Sequence, residues 1–166
     1  MEHSGPEAFV LSFVPLFIVI DALGILPFIL TLGSSMSTRE RRKMIHIATF
    51  TAVVVGLAFL FFGRFILNVM GISVGAFAIA GGVILLVLSI NYILTGRMVE
   101  AVKEEMVAVV PVGTPLMAGP ATITTLLLLV TQFPLYIVLL ALLLNLLIAW
   151  LIFLLGNIIA RLLGKG

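Results

Sequence analysis

AFVLSFVPLFIVIDALGILPFILTL, residues 8–32, is the stretch that decides the fold. About 20 mostly apolar residues cross the hydrocarbon core of a bilayer, and this run exceeds that length. It is nevertheless interrupted by Pro15, Asp21, Gly24 and Pro27. In hydrocarbon every backbone N–H and C=O needs a partner, so an unwound segment survives only inside protein or beside a polar cavity. The stretch therefore predicts a membrane helix broken near its middle for a purpose.

The rest of the chain reads the same way. Hydrophobic residues make up 63% of the 166 positions and charged residues only 10%; mean hydropathy is +1.37. A soluble domain carries about 25% charged residues, so this surface is built for lipid. A net charge of +2, without a basic face to track phosphates, argues against nucleic acid. Cysteine is absent, which excludes disulfides and thiolate metal sites. The polar Met1–Glu7 lacks the basic start of a cleavable signal, so the first apolar run is read as part of the mature protein.

The fold class expected is an all-α polytopic membrane protein, a single transmembrane domain over residues 1–166. Five spans are predicted: about 8–32, 44–67, 74–94, 106–131 and 135–155. Ser37 or Thr38 is the expected N-cap of the second. Asn68-Val69-Met70-Gly71 and Gln132-Phe133-Pro134 read as turns. Arg39, Arg41, Arg42, Lys43, Arg97, Lys103, Arg161 and Lys165 fall on one side and only Arg64 on the other. Basic loops stay cytoplasmic, which places the N-terminus outside and the residue-166 end inside the cytoplasmic membrane.

The fourth span is interrupted as well, by Pro111, Gly113, Pro115, Gly119 and Pro120. Residues 15–24 can be laid on residues 111–120, with Pro15 on Pro111 and Ala22 on Ala118. Three spans separate the two segments, so the second unit enters the membrane from the opposite side. That is an inverted-topology repeat with discontinuous first and fourth helices, the architecture of many secondary transporters. The units are residues 7–96 and 106–166, and the repeat arithmetic expects a sixth helix beyond the five.

Each break exposes half-helix ends bearing partial charges that attract ions of opposite sign. Pro120 suits the first position of a half-helix. The amides of Ala121 and Thr122, with the hydroxyls of Thr122 and Thr125, form a candidate carboxylate site; Pro27 is read as opening the matching half-helix. Asp21 is the one acidic residue deep in a span. A charge there is costly, so Asp21 is expected to face the interior, as a contact to a substrate ammonium or a coupling site, or else as an N-cap. Gly75, Ala78, Gly81 and Gly82 of the third span form a small-residue face suited to close helix packing. Asn91 and Asn145 are placed to bond across helices. His46 reads as interfacial, and Trp150 as a membrane anchor.

At these residues the chain resembles the MarC family, including its SnatA-like small neutral amino acid transporters. The family's Asn/Asp-Pro-x-Gly-x-x-Pro signature is matched by Asp21-Ala22-Leu23-Gly24-Ile25-Leu26-Pro27, with Ala22 in place of the usual proline. Gly71-Ile72-Ser73-Val74-Gly75-Ala76-Phe77-Ala78-Ile79-Ala80-Gly81-Gly82 resembles its third helix, and Pro115-Leu116-Met117-Ala118-Gly119-Pro120 its fourth. The resemblance implies a 3+3 repeat and transport of glycine, alanine or similar amino acids driven by an ion gradient. Asp21, Ala22, Gly24, Pro27, Gly119, Pro120, Ala121, Thr122 and Thr125 are then the expected substrate site, with Asp21 also coupling to a proton or sodium ion. Expected partners are that substrate, membrane lipids and a second copy of the chain, with no cofactor, metal or nucleic acid. The competing readings are an ion or small-solute channel and a structural or regulatory subunit. An intramembrane enzyme ranks lower, because the spans show no second catalytic carboxylate, no metal-ligand cluster and no Ser/His pair at convincing spacing.

Overall fold

The computed structural model describes residues 4–95 and 117–163, and these are helical almost throughout. Helix α1 spans Gly5–Ile20, α2 Ala22–Leu32, α3 Thr38–Val69, α4 Val74–Thr95, α5 Pro120–Gln132, α6 Leu135–Leu154 and α7 Gly156–Leu163. A 3-10 turn, Gly33–Ser35, links α2 to α3. Among the described residues, three stretches are long and apolar enough to cross a membrane: Gly5–Leu32, Thr38–Val69 and Leu135–Leu154. Helix α5, Pro120–Gln132, is a shorter apolar helix. The expected start of the fourth span, with Pro111, Gly113 and Pro115, lies outside the described residues. So do Arg97, Lys103, Lys165 and the side chains of Asn91 and Arg161.

Local chemistry sets the helix ends. Ser37 caps α3 in a reciprocal capping box: its amide donates to Glu40 Oε2 at 2.8 Å, and Glu40 N–H donates back to Ser37 Oγ at 3.3 Å. Helix α3 has 32 residues and rises about 48 Å, well beyond a core of about 30 Å, so its basic first turns project past the apolar layer. At its far end Gly71 adopts φ +66°. Ile72 N–H reaches Leu67 C=O at 2.9 Å and Gly71 N–H reaches Asn68 C=O at 3.0 Å. This is a Schellman stop, and glycine enters the left-handed region without a Cβ penalty. Ser73 then starts α4 by accepting from Ala76 N–H at 3.0 Å.

Helix α6 organises the bundle, packing on α1, α2, α3, α5 and α7. Its inward face carries Val138, Ala141, Leu142, Asn145, Leu146, Ala149 and Phe153, at helical spacing. Helix α3 meets its neighbours through small residues. A Cβ on Gly56 would stand 3.2 Å from Leu142, and one on Gly63 would stand 2.7 Å from Leu127. Close backbone approach of this kind replaces the hydrophobic drive that lipid does not supply. Phe50, Phe62, Phe65 and Ile79 turn outward, as they can in an apolar solvent.

One polar residue ties the centre together. Asn145, 2% exposed, donates from Nδ2 to Phe13 C=O of α1 at 3.1 Å and to Ala141 C=O at 2.9 Å. The expected cross-helix bond is therefore present. Asn145→Ala is expected to lower the melting temperature in detergent, at a cost of about 1 kcal/mol for the lost interhelical bond. An unchanged melting curve refutes this role.

Candidate functional site

The first interruption is one residue wide. Asp21 sits between α1 and α2 in the left-handed region, φ 43° and ψ 53°, where aspartate is tolerated and most side chains are not. Its amide still reaches back to Phe17 C=O at 3.2 Å, and its carbonyl accepts from Ile25 N–H at 3.0 Å. Asp21 Oδ1 accepts from Gly24 N–H at 3.1 Å. Of the two readings of Asp21, the N-cap is thus realised. Among the described residues Asp21 is exposed.

Gly24 is needed for the cap. A Cβ there would overlap the Asp21 carboxylate, with Cγ only 2.7 Å away. Gly24→Ala is therefore expected to push the carboxylate off the amide and cost about 1 kcal/mol, the usual worth of an N-cap. An equally stable Gly24→Ala protein refutes the fit. Ala22 is buried, whereas Gly24 and Pro27 are exposed. Pro27 does not open a half-helix as expected; it lies within α2, five residues after Ala22. Its missing N–H removes the bond to Leu23 C=O alone, a loss that membrane helices absorb.

The second interruption follows the sequence reading more closely. Gly119 is the N-cap of α5 in extended conformation and Pro120 opens the helix. Among the described residues no side-chain cap closes this end. The intrahelical ladder begins with Ile123 N–H to Gly119 C=O at 3.0 Å, so the earlier amides of Ala121 and Thr122 fall outside it. Thr122 departs from expectation. Its buried hydroxyl donates to Met117 C=O at 2.9 Å, stitching the turn closed instead of facing a ligand. Thr125 is half-buried. Neighbouring Thr124, which sequence reasoning passed over, holds a buried hydroxyl without a hydrogen-bond partner among the described residues. A threonine in an apolar run carries no signal of that kind.

Ile20 and Ala22, flanking Asp21, belong to the same buried cluster as Met117 and Ala118, which precede Gly119. Helix α1 also packs directly on α5. The small-residue face divides. Gly81 is buried against Pro120 and Ala78 is half-buried, whereas Gly75 and Gly82 are exposed. Only the line through Val74, Phe77, Ala78 and Gly81 faces α5 (Val74 and Phe77 pack around Ile123 and Leu127). His46 is exposed, as expected of an interfacial residue, and Trp150 Nε1 donates to its Nδ1 at 3.0 Å.

Known proteins support the membrane assignment. The family model for MarC family integral membrane proteins matches residues 6–166. A UPF0056 membrane protein of Methanocaldococcus jannaschii is 35% identical over 71% of this chain and 62% of its own length. One from Archaeoglobus fulgidus is 35% identical over 70% of this chain and 58% of its own length. One from Buchnera aphidicola is 33% identical over 90% of this chain and 79% of its own length. The chain spans less than two thirds of the first two of these relatives. None of these names states an activity. No solved structure matches. With several apolar helices and a family match along nearly its whole length, the chain is a multi-pass integral membrane protein and belongs to the MarC family.

Proposed function

We propose that the chain forms a secondary transporter of small neutral amino acids, with glycine or alanine held between the Asp21 and Gly119–Thr122 interruptions. In this reading the first and fourth spans are discontinuous helices of an inverted repeat, and the basic loops lie in the cytoplasm. The observation that carries it is the pair of helix interruptions sharing one buried cluster. A zwitterion needs an anion site and a cation site a short distance apart. The uncapped start of α5 offers the Ala121 and Thr122 amides and the positive end of a helix dipole to a carboxylate. Asp21 offers the countercharge. Its contact with Gly24 uses one of about four lone-pair positions on the carboxylate, leaving capacity for an ammonium group or a coupling cation.

The test is uptake of labelled glycine and alanine by proteoliposomes. Saturable, stereoselective flux with counter-exchange is expected. Flux that neither saturates nor exchanges favours a channel, and no flux of either kind removes the transport reading.

A further inference from the structure

We propose that the surface between the N-terminal half of α3 and the C-terminal half of α6 is a binding site for an anionic phospholipid, with one acyl chain in an apolar groove and the phosphate at the basic end of α3. The proposal does not depend on the transport reading. The groove has a volume of about 350 Å³ and is walled by Phe50, Val53, Leu143 and Leu147, with His46 and Trp150 at its rim. The two helices run antiparallel here, so His46 and Trp150, hydrogen-bonded to each other, stand together at one end of the lining.

Charge complementarity selects the occupant. At 3.6 residues per turn, Arg39, Arg42, Lys43, His46, Phe50 and Val53 lie within about 60° of the His46 direction on one stripe of α3. The basic residues come first and the apolar ones follow, the order of headgroup and chain in a phospholipid. Arg39, Arg42 and Lys43 are all exposed. Arg41 points elsewhere and donates from Nη1 to Asn157 Oδ1 of α7. The rim supplies a further donor. His46 Nδ1 accepts from the Trp150 indole, so a neutral ring carries its proton on Nε2, available to a phosphate oxygen. Basic pockets between helices next to apolar clefts are what anionic headgroups recognise.

Trp150 is the single tryptophan of the chain, so its emission reports the groove directly. The protein in phosphatidylcholine vesicles is titrated with phosphatidylglycerol or phosphatidylcholine carrying brominated acyl chains, which quench tryptophan on contact. Quenching by the brominated phosphatidylglycerol is expected at roughly tenfold lower mole fraction. That preference is expected to vanish in the triple variant Arg39→Gln, Arg42→Gln, Lys43→Gln and to persist in Arg64→Gln, at the opposite end of α3. Val53→Phe, which fills the groove, is expected to weaken quenching by both lipids. Unchanged helical circular dichroism confirms that each variant is folded. Equal quenching by the two lipids overturns the headgroup site. Absence of quenching by either overturns the groove as a lipid site and leaves a protein surface as its cover.

Discussion

Asp21→Asn is expected to leave the protein folded and, on the proposed transport reading, to lower glycine uptake roughly tenfold to a hundredfold. The magnitude follows from a lost charge-assisted contact to an ammonium group or coupling cation, worth about 1.5–3 kcal/mol. The substitution keeps what the fold needs. Asparagine caps helices about as well as aspartate and also accepts left-handed backbone, so φ 43° and the bond from Gly24 N–H can persist. Asp21→Ala behaves differently. It loses the cap, at about 0.5–2 kcal/mol, and forces a Cβ-bearing residue without local hydrogen bonding into left-handed geometry, at about 1–2 kcal/mol. A stable but inactive asparagine variant beside a destabilised alanine variant separates charge from cap. Thermal melting in detergent and proteoliposome uptake read the two effects. If Asp21→Asn transports with unchanged affinity and ion dependence, Asp21 is a cap and nothing more.

Neighbouring glycines on α4 provide the second large effect. A Cβ on Gly81 would overlap Pro120 Cβ and stand 3.4 Å from its Cγ and 3.7 Å from its Cα. The proline ring cannot swing away, because it is locked into the first turn of α5. Gly81→Ala must therefore push α4 off the second interruption, at a cost of about 1–3 kcal/mol, typical of overpacking. Glycine uptake is expected to fall with it, since the Gly119–Thr122 segment loses its lateral support. Gly82, one residue on, has nothing among the described residues within 4 Å of a Cβ. Gly82→Ala is expected to be neutral or to stabilise by up to about 1 kcal/mol through helix propensity. Equal effects of the two substitutions on the melting temperature dispose of the Gly81–Pro120 contact.

The difference between these glycines marks the limit of reading the chain by itself. Both belong to one small-residue run, and sequence periodicity alone grouped them as a single packing face. Only Gly81 is on the line with Val74, Phe77 and Ala78 that meets α5. Pro27 is a similar case. Proline is a sound marker of helix starts and breaks, yet here α2 begins at Ala22 because Asp21 caps it first. The sequence reads the Thr122 hydroxyl as part of a carboxylate site near a half-helix start, but its donation to Met117 C=O depends on how the chain enters α5.

What the sequence determined is everything governed by composition and local backbone rules. The apolar mass demanded a membrane, the Ser37–Glu40 box and Gly71 set helix ends, and Asp21 and Gly119–Pro120 marked the interruptions. Its motifs also placed the chain in its family. What only the tertiary structure decided is which faces meet: Gly81 on Pro120, Asn145 on Phe13, and Trp150 on His46 beside an open groove. Those contacts depend on the rotation and axial register of one helix against another. In an almost uniformly apolar chain, many registers bury similar side chains, so the choice rests on small shape differences that no stretch of sequence displays.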